Sequence, residues 1–158
     1  RDRDVTGVQT CALPISIRVP LIIAPPRSFD AAAGRVTSDI ALNIDIAPTV
    51  LELAGVPIPS RMQGRSLVPT LERRAGGDWR TEFFYEHLIE NPAIIKSVGL
   101  RSPRFKYVRY FGIEMVFESL FDLDADPFEE TDLARIAALE ARKSEMSAKV
   151  DALLKTLA

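Results

Sequence analysis

The stretch IIKSVGLRSPRFKYVRYF (residues 94–111) decides the fold. Its two halves, Ile94–Arg101 and Phe105–Phe111, are rich in β-branched and aromatic residues and flank the triplet Ser102-Pro103-Arg104. Two such runs joined by a three-residue turn are typical of a β-hairpin. We interpret the aromatic side chains of the second run as sheet core rather than as a platform for a ligand.

Further strand-like runs lie on both sides of this hairpin. Thr81–Leu88 contains three consecutive aromatic residues, and Phe117–Leu123 is another apolar run. Between Ile136 and Leu157 apolar residues recur every three, four or seven positions, with charged residues between them. This spacing predicts a long helix that packs one face on the sheet. A coiled-coil partner for the helix is the alternative, but the apolar stripe is short.

The first half of the chain predicts helices and isolated strands. Ile17–Ala24 is apolar and β-branched, which indicates a buried strand, and Val36–Ile44 indicates a shorter one. A helix is expected to follow, with Asp45 as its cap, Pro48 in its first turn and Gly55 at its end.

A second short helix is expected next, capped by Ser66 and ended by Gly76-Gly77. The composition changes at Ala75–Asp78, which we interpret as a linker between two regions. We therefore expect a helical first region and a second region built from the hairpin, its flanking strands and the last helix.

Composition excludes several classes of protein. Of the 158 residues, 47% are hydrophobic and 27% are charged, which is ordinary for a globular domain. A net charge of −2 gives no general attraction to nucleic acid or to an anionic membrane. No apolar run approaches the roughly 20 residues that a membrane-spanning helix needs.

Residues 5–15, VTGVQTCALPI, resemble the translation of a short-read sequencing adapter. We therefore expect residues 1–16 to be non-native and exclude them from fold reasoning; a native loop followed by a strand is the alternative. The chain begins with Arg1 rather than Met, which we interpret as a start inside a reading frame or after processing. Because the single cysteine, Cys11, lies in this segment, the rest of the chain offers neither a disulfide nor a thiolate metal site.

Six phrases follow one another along the chain: IRVPLIIAPP (17–26), SDIALNIDIAPTVLELAGVPIP (38–59), MQGRSLVPTL (62–71), WRTEFFYEH (79–87), LRSPRFKYVRYF (100–111) and SLFDLDADPFEETDLA (119–134). In this order and spacing they resemble the C-terminal third to half of type I sulfatases, in the alkaline phosphatase superfamily. They look most similar to arylsulfatase and glycosaminoglycan-sulfatase-like members. The acidic turn departs from the family pattern, because Phe128 replaces a Gly and Asp132 an Asn.

The resemblance implies an α/β fold with two parts. Residues 17–74 would be the C-terminal end of the large sulfatase α/β catalytic domain. Residues 79–158 would be the small C-terminal subdomain, an antiparallel sheet of about four strands with a packed helix. On this interpretation the chain is the C-terminal part of a longer enzyme.

The resemblance also implies the chemistry of the parent enzyme, which is hydrolysis of sulfate esters or sulfamates. The family's nucleophile is a formylglycine made from Cys or Ser in the motif C/S-x-P-S-R, and a divalent cation, usually calcium, binds Asp and Asn oxygens. These residues precede the IRVP strand in the family, and Cys11 is followed by Leu13 and Ile15 instead of the motif's Pro and Arg. We therefore expect no catalytic residue and no metal ligand in this chain, which alone should be inactive.

Asp122, Asp124 and Asp126 are spaced like the start of a calcium-binding loop. An EF-hand would then need Gly and Glu at the positions of Pro127 and Leu133. We therefore interpret this segment as a solvated turn that leads to the last helix.

The only histidine, His87, ends the aromatic strand. The resemblance implies that the C-terminal sheet borders the active-site cleft, so His87, together with Glu86, is our candidate for contact with the organic part of a small-molecule or glycan sulfate ester. The alternative is a partly exposed histidine bonded to a loop. Basic residues near the hairpin could attract an anionic sugar sulfate or could be ordinary solvated charges: Lys96, Arg101, Arg104 and Lys106.

Two other functions remain open at this stage. One is a phosphonate or phosphate ester hydrolase of the same superfamily, and the other is a non-catalytic module that binds sulfated glycans. A free-standing module should begin near Trp79. The strand expected at Ile17–Ala24 would expose apolar surface if it had no neighbouring strands, so we expect the whole chain to be aggregation-prone. The resemblance is compatible with a periplasmic or extracellular parent enzyme.

Overall fold

The computed structural model describes residues 17–24, 34, 36–72, 78–90, 95–112 and 116–157. The adapter-like segment with Cys11, the glycines expected to end the second helix, and most of the predicted linker lie outside these residues. The chain forms two compact units, one of Pro20–Thr81 and one that contains Glu82–Ala158. Among the described residues, no helix is both long and apolar enough to span a bilayer.

The described residues of the first unit contain two α-helices, and both were expected from the sequence. Helix α1 spans Ile46–Leu53 and helix α2 spans Val68–Leu71. A 3-10 turn at Asn43–Asp45 precedes α1. The backbone leaves α1 through Gly55, whose φ of +69° suits a residue without a Cβ.

Asp45 precedes α1 as predicted, but its side chain does not cap that helix. It is fully buried and accepts hydrogen bonds from the Leu42 N–H (2.7 Å), the Arg65 N–H (2.8 Å) and the Arg80 guanidinium (Nη2, 2.7 Å). Burial alone would raise the pKa of Asp45, but the bonds from Arg80 and the backbone lower it below its usual range. Asp45 thus joins three segments of the first unit.

The residues around the predicted start of the second region are bonded within the first unit. Trp79 Nε1 donates to the Ile40 carbonyl at 3.0 Å, and Arg65 Nη1 donates to the Asp78 carbonyl at 2.9 Å. With the Arg80–Asp45 pair, these bonds attach residues 78–80 to the segments before and after α1.

The two strands predicted before α1, at Ile17–Ala24 and Val36–Ile44, do not form. Residues 18–24 and 36–42 pair with no strand, and Leu21, Ile22 and Val36 are 45%, 92% and 93% exposed. A strand is stabilised by pairing, and none of the described strands lies in the Pro20–Thr81 unit. The apolar composition of these segments therefore does not by itself produce a strand.

The second unit contains a four-stranded antiparallel sheet in the order β1-β2-β3-β4, which confirms the predicted sheet. The strands are β1 Phe83–His87, β2 Lys96–Arg101, β3 Phe105–Phe111 and β4 Phe117–Asp122. The β2–β3 hairpin closes at the predicted turn, where the Ser102 N–H donates to the Phe105 carbonyl at 2.9 Å.

The last helix, α3 (Glu140–Leu157), follows a 3-10 turn at Ala137–Leu139 and packs on one face of the sheet, as predicted. We call this the proximal face; its core consists of Val98, Leu100, Tyr107 and Leu120, in contact with Met146 and Val150. Tyr107 is completely buried there, which confirms the interpretation of the aromatic stripe as core.

Candidate functional site

The face of the sheet that points away from α3, here called the distal face, carries the candidate residue His87. Strand pairing arranges it in three rows across the four strands: Phe83–Arg101–Lys106–Phe121, Tyr85–Gly99–Val108–Ser119 and His87–Ser97–Tyr110–Phe117. Its apolar part is a cluster around Val108, in which the rings of Tyr110 and Phe117 stack at 4.4 Å. The polar side chains of β1 and β2 lie beside this cluster.

His87 and Glu86 lie on opposite faces of β1. His87 pairs with Ser97 in the distal row, whereas Glu86 pairs with Val98, whose side chain is in the proximal core. His87 is half-buried and Glu86 is exposed. The structure therefore does not bring the two candidate residues together, because successive side chains of a strand alternate in direction.

Three polar atoms of the distal face are buried without a hydrogen-bond partner in the part of the chain that the structure describes. They are the Tyr85 hydroxyl, His87 Nε2 and the Ser97 hydroxyl. The Tyr85 ring lies directly over Gly99, since a Cβ on Gly99 would be 2.4 Å from Tyr85 Cζ. Most buried polar atoms in proteins are satisfied, so several unsatisfied atoms on two adjacent strands make this part of the distal face the candidate site.

A buried ion pair lies in the first distal row. Lys106 Nζ contacts Glu129 Oε2 at 2.5 Å, and the side chains are 0% and 3% exposed. Burial lowers the pKa of Lys106 and raises that of Glu129, while their mutual attraction opposes both changes. Glu129 has a φ of +58°, which a non-glycine residue rarely adopts, so its backbone is strained where its side chain meets Lys106.

The other basic residues of the hairpin have different environments. Lys96 pairs with Glu90 (2.9 Å), and Arg104 binds Asp122 (2.8 Å), so both have the surface ion pairs of ordinary exposed charges. The interpretation as an ordinary solvated charge is wrong for Lys106, which is fully buried, with Glu129 and the Phe121 ring beside its ammonium group. Arg101 is half-buried, and among the described residues it has neither a hydrogen bond nor an ion pair.

The acidic turn uses its carboxylates within the fold. Asp122 binds Arg104, and Asp126 accepts a bond from the Thr131 N–H at 2.7 Å. Within the described ranges, no three Asp, Glu, His or Cys side chains are grouped so that they could hold a metal ion. The described residues therefore do not fit a calcium site.

Sequence reasoning selected His87 but missed Tyr85 and Ser97. The signal for both was present: Tyr85 is two residues before His87 on the same strand face, and the three-residue hairpin turn fixes the register of β2 against β3. The pairing of β1 with β2 had no such short turn to define it. The aromatic run at Phe83–Tyr85 favoured a core interpretation for Tyr85.

Comparison with known families identifies the chain. Residues 12–156 match the family of N-sulphoglucosamine sulphohydrolase C-terminal regions. The chain belongs to this sulfatase family. The resemblance seen in the six sequence phrases is thereby confirmed, and the sheet with its packed helix is the sulfatase C-terminal architecture.

Individual sulfatase relatives show the same similarity. The chain is 36% identical over 134 residues to an N-acetylglucosamine-6-O-sulfatase of Bacteroides thetaiotaomicron, an alignment that covers 82% of this chain and 23% of the relative. A solved structure in complex with its substrate D-glucosamine-2-N,6-O-disulfate is similar with a TM-score of 0.63 and 31% identity, over 70% of this chain and 23% of that one.

A phosphonate monoester hydrolase from Silicibacter pomeroyi is similar with a TM-score of 0.65 and 28% identity, over 76% of this sulfatase chain and 26% of its own. The chain therefore spans about a quarter of the length of the proteins it matches. This region of the fold is shared by enzymes that cleave different ester bonds.

Proposed function

We propose that this chain is the C-terminal part of an enzyme that hydrolyses sulfate esters of an organic or sugar substrate. The observation that carries the proposal is the family match over residues 12–156. The 36% identity to an N-acetylglucosamine-6-O-sulfatase supports a sulfated sugar as the substrate class.

The catalytic groups of the parent enzyme would come from residues that this chain does not contain. The family resemblance implies a formylglycine made from Cys or Ser, and a calcium ion that stabilises the charge of the sulfate. The described residues offer no group that fits such an ion. We therefore propose that the chain by itself has no sulfatase activity.

Within this chain, His87 is the proposed contact to the organic part of the substrate. The support is its position on the distal face opposite Ser97, where both side chains have a buried polar atom without a hydrogen-bond partner in the described part of the chain. In the whole enzyme, His87→Gln should raise KM for a sugar sulfate more than it lowers kcat. Glu86→Gln on the opposite face is the matched control and should leave both constants unchanged.

The first experiment is to sequence the source DNA across the junction between Ser16 and Ile17 with long reads. A continuous upstream frame with C/S-x-P-S-R and the Asp and Asn metal ligands would support the sulfatase and the adapter interpretation of residues 1–16. The encoded enzyme should then release sulfate from 4-nitrophenyl sulfate, and the 158-residue chain should not.

The second candidate is a phosphonate monoester hydrolase, favoured by the structural similarity to the Silicibacter pomeroyi enzyme. The same upstream sequence and a parallel assay with a phosphonate monoester separate the two. Hydrolysis of the phosphonate alone, or an upstream frame that lacks the sulfatase motif, would contradict the first proposal.

A further inference from the structure

Arg101 differs from the other cations of the hairpin because it forms no ion pair with any described residue. Each of the other four lies against a carboxylate: Lys96 with Glu90, Arg104 with Asp122, Lys106 with Glu129 and Arg109 with Asp151. The remaining described cations without a hydrogen bond or ion pair are exposed, whereas Arg101 is half-buried. Its guanidinium is thus partly removed from water without the ion pair that normally offsets this cost.

Glu129 influences Arg101 electrostatically but forms no ion pair with it. Its Oε2 atom is bound to Lys106. Burial lowers the pKa of Arg101, and the nearby charge of Arg18 lowers it further. Arg101 and Lys106 together carry two positive charges against the single negative charge of Glu129, so this end of the distal face attracts anions.

Tyr85 adds an unused hydrogen-bond donor beside Arg101. Its ring covers Gly99, two residues before Arg101 on β2, and its buried hydroxyl has no partner among the described residues. Burial raises the pKa of Tyr85 well above its ordinary value, so the hydroxyl keeps its proton and can donate a hydrogen bond. Because Tyr85 pairs with Gly99 and Phe83 pairs with Arg101, Tyr85 and Arg101 are diagonal neighbours on the same face of the sheet.

We propose that the Arg101 guanidinium and the Tyr85 hydroxyl form a binding site for a sulfate group on the distal face. The planar guanidinium presents parallel N–H donors that match two oxygens of a tetrahedral oxyanion, and the tyrosine supplies a third donor. The anion site follows from the unpaired donors and the net positive charge. The choice of sulfate among the anions rests on the proposed function.

In the test, the whole 158-residue chain is titrated with each probe, and the NMR signal of the Arg101 side-chain Nε–H is monitored. The probes are sodium sulfate and D-glucosamine-2-N,6-O-disulfate, with sodium chloride as the background at constant ionic strength. Both probes should move the signal to saturation, whereas chloride alone should not. Tighter binding of the sugar identifies an ester-bound or N-bound sulfate as the ligand, and equal affinity identifies the free ion.

Three variants locate the site. Arg101→Gln should weaken binding by about tenfold or more, and Tyr85→Phe by about threefold, as expected for a charged and a neutral donor. Arg104→Gln is the matched control, because it removes a neighbouring hairpin cation that already has Asp122 as a partner, and its binding should stay within about twofold. Arg101→Lys keeps the charge but not the parallel donors and should give an intermediate loss.

The folded state of each variant is checked by the dispersion of its backbone NMR spectrum. If Arg101→Gln does not fold, Arg101→Lys and Tyr85→Phe still test the site. Unchanged binding in the folded Arg101 variants, an equal loss in Arg104→Gln, or no saturable binding of either probe overturns the proposal. Failure of the proposed sulfatase activity is a separate result, because it is measured by hydrolysis in the whole enzyme and not by binding to this chain.

Discussion

The two faces of the four-stranded sheet differ in how their tyrosine hydroxyls are hydrogen-bonded. On the proximal face the Tyr107 hydroxyl bonds to Glu118 and accepts from Arg109 Nε at 3.1 Å, and Arg109 in turn binds Asp151 at 2.5 Å. On the distal face the hydroxyl of Tyr85 has no such partner among the described residues. These polar groups of the proximal face are therefore paired within the fold, whereas the distal face has, besides its Lys106–Glu129 pair, donors without a partner among the described residues that a ligand or another polypeptide segment can use.

The largest expected effect concerns the buried ion pair of the distal face. Lys106→Met should lower the free energy of unfolding by about 3–5 kcal/mol, because it leaves the Glu129 carboxylate buried without its partner. The double variant Lys106→Met/Glu129→Leu should recover most of this loss. Urea unfolding followed by circular dichroism measures both, and Lys155→Met on the exposed end of α3 is the control.

A double variant as unstable as Lys106→Met alone would show that the pair is needed for more than mutual neutralisation. The ion pair itself, and not the apolar packing around it, would then stabilise the distal face, which would weaken the contrast between the two faces.

The next effect concerns the apolar core of the proximal face. Leu120→Ala should cost about 3 kcal/mol, because Leu120 is completely buried between the sheet and α3 and its truncation leaves a cavity. The exposed Phe128→Ala is the control and should change the free energy of unfolding by less than about 0.5 kcal/mol. A cost below about 1 kcal/mol for Leu120→Ala would contradict the assignment of stability to the proximal face.

The sharpest comparison uses the same substitution on both faces. Tyr107→Phe should destabilise by about 1–2 kcal/mol, since it removes a hydroxyl that bonds to the charged groups of Glu118 and Arg109. Tyr85→Phe should be neutral or stabilise by up to about 1 kcal/mol, since it removes a buried hydroxyl without a partner. Urea unfolding at neutral pH gives both values, and equal losses would contradict the difference between the faces.

The smallest effect is a change in the alkaline pH dependence. Burial raises the pKa of Tyr85 well above its ordinary value of 10.0. The contribution of the protonated Tyr85 hydroxyl to the free energy of unfolding is fully present below the unfolded-state pKa. It is lost as the pH rises through the folded-state pKa, because the unfolded state releases the proton first. Above about pH 10 the stability of Tyr85→Phe should fall less steeply than that of the unchanged chain.

Local patterns in the sequence predicted the second unit well. The turn at Ser102–Arg104 and the apolar runs beside it placed β2, β3 and the hairpin, and the spacing from Ile136 to Leu157 placed α3. These elements are specified by residues close together in the chain, so local sequence patterns are sufficient to predict them.

Features that depend on distant partners were not predictable in the same way. Lys106 resembles an exposed strand lysine until Glu129, 23 residues later, is brought against it. Asp45 has the features of a helix cap, but Arg80, 35 residues later, occupies its carboxylate. The Ile17–Ala24 segment has strand composition, yet pairing with another strand decides whether a strand forms.

The simple strand order has a consequence for how the second unit forms during synthesis. Each strand pairs with the one made immediately before it, so β2, β3 and β4 can each join an existing edge as they leave the ribosome. Helix α3 comes last, and the apolar side chains of the proximal face have no cover until Met146 and Val150 have been translated. The nascent sheet is therefore most vulnerable to association with other chains between the completion of β4 and the arrival of α3.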